Sequence, residues 1–501
     1  MDHQPVLAIV GQQAATALGS DYQQEVDLQS LFKDVSAYVE TVVSPAQLLH
    51  VLDRALRVAV GERQVATVIV PNDVQQMAAP KRQPHEHGHV MSAVGLRPAA
   101  TPTRATPTWK PPRRSSIAAG AWRSSPVPGP WARTGNWKRS PSAWPPEWPR
   151  RSLGKAAVSD DLPYVTGSIG LLGTRASSML MSHCDTLLIV GSTFPYSEFL
   201  PKAGQARAVQ IDLYPRNIGI RYPIDQALLG DAGETLERLL PLLEQKKHGA
   251  WRRRVERAVT ASREEARRQA EEPADPINPQ RVFRSLSEQL PDDAILCGDS
   301  GSHTNWYARD IRMRPGMLGS LSGKLATMGS GVPYAIAAKL AYPQRPVVAM
   351  VGDGAMQMNG NAELVTVQQY WQRWDSPTFI VLVLNNGDLN QVTWEQRALA
   401  GDPEFSPAQE VIDFPYARYA DMLGFKGIRV DRPEDIDAAW AEAFAADRPV
   451  LLEVVTDPNV PPLPPHISFE QAKHLLGAML QDDPKRWGVI RQSARQILAR
   501  H

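Results

Sequence analysis

The sequence predicts an α/β protein built from parallel, doubly wound sheets. Short runs of β-branched and aliphatic residues alternate with stretches whose apolar residues recur at helical spacing. The length of 501 residues is too great for one domain and indicates about three. In addition, two strongly apolar strands at 347–351 and 379–384 each end in a polar turn, which is typical of a parallel sheet that carries a site at its strand ends.

Composition excludes several classes of function. A hydrophobic fraction of 43% and a charged fraction of 21% are those of a globular protein. The net charge of +1 provides no overall attraction to nucleic acid or to an anionic membrane. Two cysteines, Cys184 and Cys297, predict neither a disulfide framework nor a zinc site and fit a reducing compartment. The N-terminus lacks the basic and long apolar stretches of a signal peptide, so we expect a cytoplasmic location.

Residues 1–80 are expected to fold as alternating strands and helices. The first strand lies in 5–11 and runs into a Gly turn, a helix covers 47–60, and a second β-branched strand covers 64–73. The chain opens directly in a strand, and we interpret this as the loss of the preceding part of a domain.

The segment 81–153 changes character. Six of the thirteen Trp residues lie in it, together with many Pro and Arg, and no apolar periodicity survives. A Pro-rich disordered linker is one interpretation, although such linkers are usually poor in Trp. The other is a slipped reading frame, because the codons of 108–150, read one nucleotide earlier, allow a helix, a strand, a Gly-rich turn and a second helix. We favour the slipped frame, with recovery near 152–155.

Regular α/β signals resume at residue 154. Strands are expected at 184–191 and 206–212, and an N-capped amphipathic helix follows Asp231. Charges of alternating sign on a helical period over 247–277 predict a solvated linker helix. At the C-terminus, the amphipathic helix 486–498 is expected to dock on protein rather than on a membrane.

The strongest functional signal lies between residues 346 and 392. One buried strand ends in Gly352-Asp353-Gly354, and the next ends in Asn385-Asn386. Neighbouring parallel strands end at the same edge of a sheet, so Asp353 and Asn386 can face one cation. Mg²⁺ prefers oxygen ligands and commonly shares them with a diphosphate, and the flanking glycines let backbone N–H groups approach phosphate.

This pattern resembles the diphosphate-binding motif of the thiamine-diphosphate enzymes that decarboxylate 2-keto acids, closest to the pyruvate oxidase and acetolactate synthase branch. The resemblance implies that Mg²⁺ is held by the side chains of Asp353 and Asn386 and by the backbone carbonyl of Asp388. Thirty residues separate Gly354 from Asn385, slightly more than is usual in that family, and a loop around 370–378 could absorb the surplus.

Two further stretches carry the same resemblance. Residues 298–306 match a phosphate-contacting turn, and residues 321–343 match the stretch in which Met328 would hold the cofactor bent while the Ala326 carbonyl faces its amino group. Taken alone, Met328 would be core filler and His303 structural. The residues implied for thiamine diphosphate are Ser300, Gly301, Ser302, His303, Ala326, Thr327, Met328, Gly352, Asp353, Gly354, Ala355, Asn386, Asp388, Leu389 and Gln391.

Residues 166–231 resemble the flavin-bearing domain of bacterial pyruvate oxidase. Gln391 stands where the oxidase has an aromatic residue, which puts electron transfer to a quinone in doubt. In related synthases the domain does little or no redox work, so FAD is a secondary expectation. The residues implied for FAD are Gly170, Leu171, Leu172, Ser192, Thr193, Phe194, Pro195, Tyr196 and Asp212.

Residues 4–32 resemble the second half of the family's pyrimidine-binding domain, where Gln24 matches an active-site glutamine. The first half, with the glutamate that activates the cofactor, has no counterpart in this sequence. The implied fold is three doubly wound parallel-sheet domains, the first incomplete and the first half of the second scrambled. The expected segments are a pyrimidine-domain remnant (1–80), an irregular segment (81–153), an incomplete FAD-type central domain (154–246), a helical linker (247–277), a diphosphate- and Mg²⁺-binding domain (278–465) and a helical tail (466–501).

The resemblance therefore implies a decarboxylase of 2-keto acids, with pyruvate as the default substrate, that depends on thiamine diphosphate and Mg²⁺. Gln24 and Met328 are the expected catalytic residues. A pyruvate-oxidase-like outcome is preferred, and an acetolactate-synthase-like carboligase or lyase is the alternative. A third hypothesis is a catalytically impaired remnant that still binds Mg²⁺ and diphosphate, because the activating glutamate is missing. The family also implies a homodimer or homotetramer, with no nucleic-acid partner.

Overall fold

The computed structural model of the chain is an α/β protein with parallel sheets, as the sequence predicts. It forms two compact units, residues 1–103 and 104–501. The residues that the structure describes are 3–79, 117–121, 148–150, 152–243, 249–323, 325–462 and 469–499.

The first unit contains a parallel three-stranded sheet in the order β1-β3-β2. Helix α2 starts at Pro45, where the fixed backbone angle of proline suits a first turn. Its Val51, Ala55 and Ala59 recur every four residues and are buried in the same apolar cluster as Val68 of β3. The elements are β1 (Val6–Gln12), α1 (Leu28–Lys33), β2 (Tyr38–Thr41), α2 (Pro45–Glu62), β3 (Val65–Pro71) and α3 (Asn72–Gln76).

The second unit contains a central sheet of six parallel strands in the order β6-β5-β4-β7-β8-β9. Strand β7 is buried along its whole length, as expected for a strand covered on both faces. The elements are β4 (Ile117–Ala121), β5 (Trp148–Arg150), β6 (Val165–Ser168), α4 (Arg175–His183), β7 (Thr186–Val190), β8 (Arg207–Asp212), β9 (Gln226–Leu229) and α5 (Ala232–Leu239).

Most of the segment 81–153, for which we expect a slipped reading frame, lies outside the described residues. Its described parts include β4 and β5, which pair in parallel with β7 and β6 respectively. The segment was expected to be irregular as it stands, whereas these two short stretches occupy strand positions in the central sheet. The reading-frame hypothesis itself stays a prediction.

The other sheet of the second unit also has six parallel strands, in the order β11-β10-β12-β13-β15-β14. Its two middle strands are apolar and almost fully buried. The strands are β10 (Ile295–Gly298), β11 (Leu318–Leu321), β12 (Val347–Gly352), β13 (Phe379–Asn385), β14 (Lys426–Val430) and β15 (Val450–Val455), and the helices are α6 (Ala250–Glu271), α7 (Pro279–Gln289), α8 (His303–Asp310), α9 (Gly331–Ala341), α10 (Asp353–Ala355), α11 (Asn361–Tyr370), α12 (Asn390–Glu395), α13 (Ser406–Gln409), α14 (Tyr416–Met422), α15 (Ile436–Phe444), α16 (Phe469–Leu480) and α17 (Arg486–Leu498).

The strand order of this sheet positions the candidate site. After β10 the chain moves to β11 on one side, and it then crosses to β12 on the other side of β10. Such a reversal opens a crevice beyond the carboxyl ends of the two strands, where ligands of open α/β sheets usually bind. The turn after β10 and the Gly352-Asp353-Gly354 turn after β12 both lie at this edge.

The expectation of a solvated helix α6 was wrong, whereas the C-terminal helices pack on protein as predicted. We expected α6 to be solvated, but Val255 and Val259 are buried in the core of the central sheet, because they lie on one face of the helix. The tail docks on protein, since Ala478, Met479 and Val489 pack with Trp394 of α12. Among the described helices, none is both long and apolar enough to cross a bilayer.

Candidate functional site

Asp353 and Asn386 lie side by side at the tips of neighbouring strands. Strands β12 and β13 pair in parallel, with Gly352 opposite Leu384. One Asp353 carboxylate oxygen accepts hydrogen bonds from the backbone N–H groups of Asn386 at 3.0 Å and Gly387 at 2.6 Å, and the other accepts from Gly354 at 2.8 Å. The structure thus brings together the two residues on which the predicted metal site depends.

The Asp353 carboxylate is buried, with 2% of its surface exposed. Burial raises its pKa to about 6, although the N–H groups of Gly387, Gly354 and Asn386 lower the pKa, and Asp388 adds a smaller upward push. Charge at this position is therefore costly without a compensating cation. A divalent cation held here would favour the ionised carboxylate.

Asn386 and Asp388 form the loop beside this carboxylate. The Asn386 side-chain oxygen accepts from the Asp388 N–H at 3.0 Å. The Asp388 carboxylate turns to the next helix, where it accepts from the Thr393 hydroxyl at 2.7 Å and from Asn390 at 3.2 Å. These bonds commit the Asp388 side chain to two side chains of α12, which leaves its backbone carbonyl as the group predicted to face a metal.

The first asparagine of the pair has a different role from the second. The Asn385 amide donates to Asp413 at 2.9 Å and to Glu453 of β15 at 3.0 Å. Glu453 is 1% exposed and also accepts from the Ala417 N–H at 3.0 Å. Asn385 thus anchors the strand tip. This acidic pair was not predicted from the sequence, where an isolated acid within an apolar strand is the signal that points to Glu453.

A cluster of three His, Cys, Asp or Glu side chains able to hold a metal is absent from the described part of the chain. The Asp353 site does not depend on such a cluster, because its expected ligands are one carboxylate, one amide and one carbonyl. Oxygen ligands of this kind suit a hard cation that keeps other positions for water or phosphate.

The turn Ser300–Ser302 follows β10, and His303 opens helix α8. His303 is 2% exposed, and its Nε2 has no hydrogen-bond partner among the residues that the structure describes. Burial lowers the pKa of His303, and the nearby Asp299 partly offsets this. A Cβ on Gly301 would lie 3.0 Å from His303 Cε1, and the Gly301 φ of +147° also favours glycine. A buried ring nitrogen without a partner beside a glycine turn suits a polar ligand group.

Gly354 lies close to the side chains of both Leu389 and Met328. A Cβ there would lie 2.6 Å from Leu389 Cδ2 and 3.5 Å from Met328 Cε. Met328 and Leu389 therefore border the same turn. Ala326 has a left-handed φ of +48°, which is unusual for a residue with a Cβ and occurs at ligand-binding loops.

Several other predicted residues lie close to these. Ala355 is buried beneath the Gly354 turn, and the Thr327 N–H donates to the Ser322 hydroxyl at 2.9 Å. Gln391 accepts from the Asn305 amide of α8 at 2.8 Å and donates to Glu395 at 2.8 Å. This side chain therefore joins α12 to α8, the helix that begins at His303.

The residues predicted for FAD follow strands of the central sheet. Gly170 has a φ of +89°, and a Cβ there would lie 2.7 Å from Phe194 Cζ. The Asp212 carboxylate accepts from the Tyr214 N–H at 2.9 Å and from Asn217 at 3.0 Å, so it stabilises its own loop. The Thr193 hydroxyl is buried and has no hydrogen-bond partner within the described ranges. The remaining residues of this set are Leu171, Leu172, Ser192, Pro195 and Tyr196.

Two further expectations concern other parts of the chain. The Gly-rich turn expected near 127–131 lies outside the described residues. Gln24 lies in the first unit, where it is exposed and adopts a φ of +63°.

The chain matches two domains of a known enzyme family and is similar to several of its members. Residues 299–454 match the family described as thiamine pyrophosphate enzyme, C-terminal TPP binding domain, and residues 150–239 match the thiamine pyrophosphate enzyme central domain. The chain is 31% identical to the thiamine pyrophosphate-containing protein YdaP of Bacillus subtilis, over 96% of this chain and 80% of that protein. It is 28% identical to pyruvate oxidase of Lactiplantibacillus plantarum (91% and 74%) and 29% identical to the acetolactate synthase isozyme 2 large subunit of Escherichia coli (93% and 82%).

Proposed function

The chain belongs to the thiamine pyrophosphate enzyme family, and we propose that it uses thiamine diphosphate with Mg²⁺ to decarboxylate a 2-keto acid, with pyruvate as the default substrate. The observation that carries the proposal is the contact between the Asp353 carboxylate and the backbone of Asn386 at two adjacent strand tips. It supports a cation site at the crevice where this sheet reverses its strand order.

The residues present fit such a group. Asp353 and Asn386 would supply side-chain oxygens and Asp388 a backbone carbonyl to Mg²⁺. The glycines at 301, 352 and 354 would let backbone N–H groups approach a diphosphate, and the buried His303 would provide a hydrogen-bonding partner for it. When bound, thiamine diphosphate supplies an electron sink for the pair left by the departing CO₂.

Met328 and Leu389 would shape the apolar side of the pocket. Both approach Gly354, so a ligand whose phosphates rest on this turn would meet their side chains next. An apolar wall excludes water from the reacting centre and restricts the ligand to a compact conformation. The Ala326 carbonyl, in its strained turn, would accept a hydrogen bond from the ligand's amino group.

Among the outcomes open to this family, we favour a pyruvate-oxidase-like reaction with FAD as an additional cofactor. The similarity to a pyruvate oxidase and the buried Thr193 hydroxyl beside the Gly170 turn support this choice. The alternative, an acetolactate-synthase-like carboligase or lyase, is supported by similarity to a synthase subunit and by Gln391, whose amide is committed to Asn305 and Glu395.

One experiment separates these outcomes. The purified chain is titrated with thiamine diphosphate and Mg²⁺ by calorimetry, and CO₂ release from pyruvate is then measured. A yellow protein with flavin absorbance that consumes an electron acceptor supports the oxidase, whereas acetolactate without acceptor use supports the synthase. Binding without turnover indicates the catalytically impaired form. Absence of Mg²⁺-dependent binding contradicts the whole proposal.

We further propose that residues 108–150 are read out of frame. The match to the family's central domain begins at residue 150, close to the point where the frame is expected to recover. Sequencing the gene and aligning it with related genes tests this. A frame without insertion or deletion across this region would refute it.

We also propose that the chain assembles as a homodimer or homotetramer. Relatives in this family generally combine subunits. Size-exclusion chromatography with light scattering measures the assembly directly, and a monomer at micromolar concentration would contradict the proposal.

A further inference from the structure

Asp299 is a buried carboxylate between the two loops that line the candidate site, and the proposed function assigns it no role. It is 1% exposed and directly follows β10. We propose that Asp299 is a positioning residue that fixes the Met328 loop relative to the phosphate-contacting turn. It would thereby let the protein prefer thiamine diphosphate over bare pyrophosphate. This inference rests on the proposed function.

One oxygen of Asp299 joins the two loops directly. Asp299 Oδ1 accepts from the Ser300 N–H at 2.7 Å and from the Gly329 N–H at 2.9 Å. Ser300 opens the phosphate-contacting turn, and Gly329 is the residue after Met328. A single atom therefore holds the backbone that would bind the phosphates and the backbone that carries the apolar side chain.

The second oxygen extends the connection to helix α9. Asp299 Oδ2 accepts from the Gly331 N–H at 2.6 Å. A Cβ on Gly331 would lie 3.0 Å from both Asp299 Cβ and Oδ2, so glycine permits this close approach. Gly329 has a φ of +85°, which also favours glycine. The loop is thus shaped to bring two N–H groups onto one carboxylate.

If Asp299 acted only through its charge, its removal would strengthen ligand binding rather than weaken it. A negative charge near a diphosphate repels it, so neutralising Asp299 would tighten the binding of any diphosphate. If Asp299 acts by position, the substitution Asp299→Asn loosens one loop, because an amide NH₂ would face an N–H donor where an oxygen now accepts. Thiamine diphosphate, which would contact both loops, would then lose more affinity than pyrophosphate, which would contact one.

The test compares two ligands on the full-length chain. Calorimetry with Mg²⁺ present gives the affinities for thiamine diphosphate and for inorganic pyrophosphate. We expect Asp299→Asn to reduce the ratio of the two affinities by about tenfold or more, as befits the loss of a hydrogen bond to a charged group. Gly331→Ala, which would push α9 away from Asp299, is expected to reduce the ratio in the same direction and provides a second variant should Asp299→Asn fail to fold.

Asp231→Asn is the matched control. Its carboxylate accepts from the backbone N–H groups of Gly233 and Glu234 at the start of α5, the helix that follows β9 of the central sheet. The control is expected to leave the affinity ratio within twofold of wild type. An unchanged ratio in both test variants, or tighter binding of both ligands, would overturn the inference. If the wild-type chain binds neither ligand, the proposed function is wrong, and the inference that rests on it is wrong with it.

Discussion

The Tyr416 hydroxyl donates a hydrogen bond to the backbone carbonyl of Asp353 at 3.0 Å. Tyr416 is fully buried, and its hydroxyl also accepts from the Gln357 amide at 3.0 Å. Helix α14 therefore holds the main chain of the residue whose carboxylate faces Asn386. Outer contacts of this kind orient metal ligands, and the loss of one typically lowers metal affinity by about 10- to 100-fold.

Tyr416→Phe removes this hydroxyl while it keeps the ring. We expect the free energy of unfolding to fall by about 1 kcal/mol, because a buried hydrogen bond is lost while the Asp353 carbonyl keeps its bond from the Met356 N–H. Mg²⁺ affinity in the presence of thiamine diphosphate should fall by about tenfold or more. Urea denaturation and calorimetry measure the two effects.

Tyr419→Phe is the control for this substitution. Tyr419 donates to the Asn361 carbonyl at 3.2 Å, so it loses a similar bond without touching Asp353. It should cost stability but leave Mg²⁺ affinity unchanged. Equal Mg²⁺ affinities in the two variants would show that Tyr416 does not support the metal site.

Asp353→Asn should abolish most Mg²⁺-dependent binding of thiamine diphosphate. The substitution keeps the size of the side chain but removes the charged ligand, and we expect affinity to fall by at least about 100-fold. Asp375→Asn makes the same change on an exposed loop before β13, at the opposite edge of the sheet, and should have no effect. Comparable binding by the Asp353 variant and wild type would place the metal elsewhere.

The Asp353 and Asn386 pairing could be predicted from sequence because it follows from local rules. Two strongly apolar strands ending in polar turns predict neighbouring strand tips in a parallel sheet, and the structure has Gly352 beside Leu384. The parallel α/β fold was predicted on the same basis.

The supports of the site could not be predicted in this way. Glu453 lies 68 residues from the Asn385 it holds, and Tyr416 lies 63 residues from Asp353. No periodicity relates such positions, because the contacts depend on how β15 and α14 pack on the sheet. Charge patterning likewise predicted a solvated α6, whereas Val255 and Val259 bury one face of that helix.

Asp310 predicts a pH dependence of stability. Burial raises its pKa to about 7, although Arg309 and Gln280 lower it, and its Oδ2 has no hydrogen-bond partner among the described residues. The folded state thus holds a proton that the unfolded state releases near pH 4. The contribution of Asp310 to stability is full below pH 4 and is lost as the pH rises to about 7.

Asp310→Asn should therefore be more stable than wild type at pH 8 and lose that advantage at pH 4.5. Thermal unfolding of both proteins at the two pH values measures the difference. Ser287→Ala, a neutral change on α7, should shift stability by the same amount at both pH values. A pH-independent difference for the Asp310 variant would show that its carboxyl stays ionised in the folded protein.

The fully buried pair Arg397 and Asp483 predicts a large stability effect where the tail meets α12. Arg397 donates two hydrogen bonds to Asp483, at 2.7 and 2.8 Å, and one to Glu404 at 2.9 Å. Asp483→Asn would leave the buried guanidinium with one carboxylate. We expect the free energy of unfolding to fall by about 1.5–3 kcal/mol, since buried hydrogen bonds between charged groups are lost while Glu404 still compensates the guanidinium.

The neighbouring pair Arg486 and Asp482 is the matched control, because its aspartate is 89% exposed. Asp482→Asn should cost less than about 1 kcal/mol, and asparagine tolerates the φ of +63° at that position. If Asp483→Asn costs no more than Asp482→Asn in urea denaturation, the buried pair does not stabilise the docking of the tail.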